Sequence, residues 1–269
     1  CWGQMAVVLV TTILLAIFGS EIWFILPILW SIIPTYNLFK FMKVPLMPSI
    51  PEHEKTPIKG LFSSKLFLLA LVLMLCAGAA ELTMAQWASL FAEKGLQVPK
   101  LVGDILGPCL FAVFMGIGRT VYGIWGEKIH LEKALLASGA LSVICYATTV
   151  FVQNPIISLL GCALCGLSVA LMWPGTFSLS AATFPKGGTA MFGILAIFGD
   201  IGAAIGPWMA GLTSDLAQTS NRLVTLGSSY GLNAEQSGLK TGLFVGMLFP
   251  LILLFSLILM KYVRGRDVA

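Results

Sequence analysis

Asp200 stands in FGDIGAAIGPWMAG, Phe198 to Gly211, with Lys186 and Asp215 as the nearest other ionisable side chains. A carboxylate in so apolar a stretch can bind a polar solute, carry a proton, or join two helices through a hydrogen bond to a neighbouring donor, and the sequence leaves these readings open. Glu81, in AGAAELTMAQWASLF, is the second such group. On a helix it shares a face with Ala77, Met84, Ala85 and Ala88, mostly small residues that leave room for a cavity or for another helix. Gln86 and Trp87 follow it. The amide suits sugar hydroxyls, and the indole suits either the apolar face of a sugar or an anchor at the outer interface. Glu21 has the same chemistry, in an apolar run too long to fix its depth. Trp173 opens Trp-Pro-Gly, where a helix either kinks or breaks and frees carbonyls for solute or water. Glu81, Gln86, Trp87 and Asp200 are therefore the candidate solute contacts, and Asp200, Glu81 and Glu21 the candidate proton carriers. Asp104 begins another apolar run, where a helix N-terminal cap is expected of it.

The elements that position these groups must lie in lipid. The chain is 58% hydrophobic and 10% charged, with a mean hydropathy of +0.93, too little polar surface for a soluble domain of its size. A bilayer core takes roughly 20 helical residues. Seven apolar runs of that order predict an all-α polytopic bundle. They cover about Gln4 to Ile33, Leu61 to Ala92, Val102 to Gly118, Lys133 to Val152, Pro155 to Thr183, Thr189 to Ser214 and Leu239 to Tyr262. The first is kept as one helix, because a break at Gly19 leaves too short a leading piece. Between the first two lies a lysine- and proline-rich connection, Pro34 to Ser64, whose VPLMPSIPEHEKTP should be extended and solvated. YNLFKFMKVPL, at its start, suits either the membrane interface or unstructured chain. Another long polar loop is expected from Asp215 to Gly238.

Twelve of the sixteen lysines and arginines fall in alternate connections, which assigns those connections to the cytoplasm and the C-terminus with them. Cys1 in place of methionine, and the odd number of crossings, lead us to expect a piece of a longer chain. Chemistry by an intramembrane enzyme is not expected: both histidines, His53 and His130, fall in connections, so no span offers a histidine base, a haem ligand pair or a zinc site. The six cysteines look like small apolar filler, Cys162-x-x-Cys165 included. No cofactor, metal or nucleic-acid partner is expected.

Two motifs carry a family resemblance. GIGRTVYGIWGEKIHLEK, placed in the loop after the third run, has Gly116, Gly118, Arg119, Gly126 and Lys128. It resembles the G-x-x-x-D-R-x-G-R loop of the major facilitator superfamily, in its C-terminal-half copy, with Trp125, Gly126 and Glu127 near the place of the Asp-Arg pair. Gly202-x-x-x-Gly206-Pro207-x-x-x-Gly211 resembles that superfamily's G-x-x-x-G-P-x-x-G motif. The resemblance implies that these glycines, Arg119, Lys128 and Pro207 serve gating and helix movement. It implies twelve spans in two halves with substrate between them. On that mapping residues 1–33 are the last helix of an N-terminal half, 34–64 a cytoplasmic linker and 65–269 the C-terminal six-helix bundle. The missing half, the bilayer and a small solute are the expected partners, and spans two and five line the cavity, with Trp173 as an aromatic wall. AGAAELTMAQWASLF, GDILGPCLFAVFMGIGR and LMWPGTFSLSAATFP look closest to the fucose:proton symporter branch. The function expected is secondary transport of a small polar solute, with proton coupling, across a cell membrane. A nontransporting receptor or sensor of the same fold is the alternative.

Overall fold

The computed structural model describes residues 1–45 and 56–267, so most of VPLMPSIPEHEKTP, with His53, lies outside the described residues. Every element among the described residues is helical. Seven segments there are long and apolar enough to cross a bilayer: Ser20–Phe41, Lys65–Gly95, Lys100–Lys128, Leu131–Phe151, Pro155–Thr183, Gly188–Thr219 and Ala234–Arg264. The chain is thus an all-α polytopic bundle.

The first apolar run is not one helix. Gly19 adopts φ +81°, a left-handed conformation that glycine enters at little cost, and it stops α1 (Trp2–Phe18). A 3-10 turn, Ser20–Phe24, leads into α2 (Ile25–Phe41), which folds back so that Trp30 Nε1 donates to Thr11 Oγ1 at 3.3 Å. Glu21 therefore sits exposed in a turn between two helices rather than inside a long one. Helix α2 runs on to Phe41, so much of YNLFKFMKVPL is helical and the connection begins later than expected.

After α3 (Ile58–Ser63) come α4 (Lys65–Leu90), ending in a π turn at Phe91–Gly95, and α5 (Lys100–Asp104). A second π turn, Ile105–Cys109, joins α5 to α6 (Leu110–Trp125), and a 3-10 turn at Gly126–Lys128 follows. The third span consequently continues well past Gly118, because Thr120 to Trp125 are again largely apolar. Helix α7 is Leu131–Phe151. Asn154 opens α8 (Pro155–Val169) by accepting from Ile156 N and Ile157 N, with Pro155 at the first turn, where its missing N–H costs nothing. Helix α9 (Met172–Thr183) follows a break at Ala170 and Leu171, then α10 (Gly188–Thr219). The polar stretch predicted as a loop is partly helical, α11 being Asn221–Ser229, and a reciprocal cap between Asn233 and Gln236 starts α12 (Ala234–Gly246). Helix α13 is Leu248–Asp267.

Small residues let these helices meet at backbone distance. A Cβ on Gly202 would lie 1.9 Å from Leu75 O, one on Gly206 2.8 Å from Ala79 O, and one on Gly211 3.1 Å from the Trp87 ring. Partner positions rise together along both helices, so α4 and α10 run parallel. Gly238 against Ser214 O and Gly242 against Ala210 O do the reverse, setting α12 antiparallel to α10. Buried Lys240 in α12 donates through Nζ to Val150 O at 2.9 Å and Val152 O at 3.1 Å, closing the C-terminal end of α7. Hydrogen bonds from a charged donor contribute about 1.5–3 kcal/mol. Lys240→Met should thus lower the thermal unfolding midpoint in detergent by about 5 °C, followed by tryptophan fluorescence; an unchanged midpoint would show that the cap contributes nothing.

Candidate functional site

Four elements converge on one ion pair. Glu81, on α4, accepts from Arg119 Nη2 of α6, with Oε2 at 3.2 Å and Oε1 at 3.4 Å. Arg119 Nε donates to Ala170 O at 3.2 Å, in the break between α8 and α9. That carbonyl is available for a covalent reason. Pro174 occupies the position whose N–H would otherwise close a helical turn onto Ala170. Gly118 makes the reach possible, since a Cβ there would lie 2.6 Å from Ala170 Cβ. The carboxylate side chain is 13% exposed and the guanidinium 36%. The site is therefore a neutralised charge pair that ties α4, α6 and the α8–α9 break together, with its guanidinium partly exposed. One turn along, Tyr122 OH lies 3.5 Å from Ser178 Oγ, a second polar link between α6 and α9.

Arg119 does not stand in a loop, as the motif suggested, but inside the third span. Gly116 and Gly118 are in that helix too, so neither makes the reversal. The Trp2 ring covers Gly116 so closely that a Cβ there would meet it at 3.0 Å. Only Gly126 and Lys128 lie in the turn before α7. An unbroken apolar run through Trp125 is the signal that places Arg119 in the span, and its partner follows from the cost of leaving an intramembrane guanidinium alone.

A second polar place lies on α10. Asp200 is exposed, and among the described residues no hydrogen bond or ion pair engages it, so it does not join two of the described helices. It is the middle of a stripe at helical spacing, Phe192, Ala196, Asp200, Ala204 and Trp208, each exposed or half-exposed. Its neighbour Gly199 is covered by Trp173, whose ring would meet a Cβ there at 2.5 Å, and the Trp173 Nε1 is buried without a partner. Phe177 stacks next to Trp173 with centroids 6.3 Å apart and reaches Phe192 at 5.9 Å. At the other end of the stripe, Gln86, Trp87, Leu90, Ala203, Pro207 and Trp208 surround an open groove of about 460 Å³. Trp87 Nε1 donates to Pro207 O at 3.2 Å, which fixes the indole against α10.

The structure thus joins Glu81 to Arg119, and Gln86 and Trp87 to the Asp200 helix, and it forms no bond between Glu81 and Asp200. Glu21 is remote from both by element. Asp104 is not a cap: its Oδ1 accepts from Ser89 Oγ, fastening α5 to α4, and its Oδ2 lies 3.5 Å from Lys100 Nζ within α5. Cys162 and Cys165 are buried where α8 packs on α7.

The sequence profile described as Major Facilitator Superfamily matches residues 1–207, a stretch that holds the Glu81–Arg119 pair and Asp200. No curated protein matches the chain.

Proposed function

The chain belongs to the major facilitator superfamily, a family of transporters, and from that premise we propose that it moves a small polar solute by alternating access, coupled to protons. The observation that carries the reading is the Glu81–Arg119 pair on Ala170 O. A charge pair between spans, seated on a proline break, is an element that can be made in one arrangement and broken in another, as a rocking bundle requires. Gln86, Trp87 and Trp208 around one groove offer an amide and two aromatic faces, a lining that suits a polyhydroxylated solute such as a sugar, in keeping with the resemblance to the fucose:proton symporter branch. The Phe192–Trp208 stripe of α10 is then the wall that a second six-helix half closes over, with the linker and C-terminus on the cytoplasmic face of a cell membrane. Moving Arg119 into a span leaves the excess of lysine and arginine on that face.

Cells expressing the full-length gene, offered radiolabelled sugars, amino acids and organic anions with and without a proton uncoupler, test this directly. Accumulation of a sugar that collapses with the uncoupler is the expected result. Binding without accumulation of any solute would instead make the protein a receptor or sensor. Asp200, unpaired and exposed to the groove side of α10, is the residue we assign to the proton. Asp200→Asn should keep membrane insertion and solute exchange down a gradient while abolishing uphill accumulation; a variant that still accumulates solute in an uncoupler-sensitive way removes Asp200 from the coupling.

A further inference from the structure

Away from both polar places, the ends of three spans form a separate cavity. About 310 Å³ opens between the start of α7, the end of α9 and the end of α13. Its rim carries His130, Lys133, Lys261 and Arg264 against a single acid, Glu132. Arg264 already holds that acid through Nη1 and reaches Thr183 Oγ1 with Nη2, which locks the guanidinium in the rim. Lys133 and Lys261 are exposed, and among the described residues neither has an ion-pair partner. The N-terminal turn of the 21-residue α7 opens at the same rim and adds its partial positive charge. Below the rim the lining turns apolar. Leu136 and Leu179 form the floor, and a narrower cleft sharing them with Glu132 and Lys261 continues the apolar surface to Leu257 and Met260.

We propose that this cavity binds an anionic membrane phospholipid, the headgroup phosphate between Lys133 and Lys261 and the first part of an acyl chain against Leu136, Leu179 and Leu257. Three observations select a lipid over a free phosphate. All three helices begin or end a membrane span here, which sets the rim at headgroup depth. The cations surround a polar mouth over an apolar floor, so the site is amphiphilic in the same sense as a phospholipid. Lysines at a span terminus extend toward the headgroups with their stems on apolar surface. The assignment is independent of any solute or coupling, because no residue of the cavity belongs to the groove or to the Glu81 pair.

Thermal unfolding of the purified full-length protein in neutral detergent, titrated with dioleoylphosphatidylglycerol, dioleoylphosphatidylcholine or inorganic phosphate, tests it. Phosphatidylglycerol should raise the midpoint saturably, with phosphatidylcholine and phosphate giving no such shift. Each lysine near an anionic lipid surface contributes about a fivefold gain in affinity. Half-saturation should accordingly move to about fivefold higher lipid in Lys133→Gln or Lys261→Gln, and further in the double variant. Both are exposed, so the unliganded midpoint should hardly change. Equal stabilisation by phosphatidylcholine, the same shift from inorganic phosphate alone, or unchanged half-saturation in the variants would each overturn the proposal.

Discussion

Arg119→Gln is expected to abolish uptake and to lower the thermal unfolding midpoint by about 5–10 °C. The substitution leaves Glu81, only 13% exposed, without its cation, and Ala170 O without its donor. Removing one partner of a buried ion pair costs about 3–5 kcal/mol, and the cost here should fall to about 2–3 kcal/mol because Arg119 keeps 36% of its side chain exposed. Glu81→Gln should destabilise less, since the guanidinium it strands has better access to water. The informative variant is Glu81→Gln with Arg119→Gln together. Two amides in place of the two charges remove the stranded group, so the unfolding midpoint should recover most of the loss. Uptake should not recover, because a neutral pair has no charge to exchange between arrangements. Wild-type uptake rates in that double variant would reduce the pair to a structural clasp, and a midpoint that stays as low as in Arg119→Gln would show that the hydrogen bond to Ala170 O, rather than the ion pair, stabilises the site.

Gly202→Leu should prevent assembly of the bundle altogether. The first side-chain carbon would sit 1.9 Å from Leu75 O, a backbone atom that cannot step aside, so α4 and α10 would have to separate along the seam that also holds Gly206 against Ala79 and Gly211 against Trp87. Overpacking typically costs about 1–3 kcal/mol, and this contact exceeds the usual case because backbone meets side chain. The expected signature is loss of the monodisperse peak in detergent size-exclusion chromatography together with loss of uptake. Gly193→Ala supplies the control on the same helix, since nothing lies within 4 Å of a Cβ there. It should leave both measurements unchanged. Should Gly202→Leu elute and transport like the parent protein, the close approach of α4 and α10 is wrong.

Hydropathy alone disclosed the helical bundle, because a lipid solvent dictates run length and forbids unpaired backbone within it. Where hydropathy misled, a local conformation overrode a global property. Gly19 ends a helix through its backbone angle, which no hydropathy window registers. The third span extends beyond Gly118 although a cation follows, since Arg119 is neutralised by a residue 38 positions away and does not have to leave the membrane. Glu81 and Asp200 were legible as unusual carboxylates. Their opposite situations, one clasped and one open, depend on helix rotation and on which neighbour presents a cation, and single-chain periodicity records neither. The exposed pairing of Lys133 and Lys261 across α7 and α13 was equally hidden, since residues this far apart in sequence become one rim only after the helices pack.

Pro174 and Pro207 each withdraw one amide hydrogen from a spanning helix, and each leaves an oxygen of the preceding turn with spare bonding capacity. At Ala170 the spare capacity is taken by Arg119, whereas the corresponding carbonyl belongs to Ala203, a residue that lines the groove beside Gln86. That spare acceptor is set by the main chain, so it survives any side-chain replacement short of changing Pro207 itself.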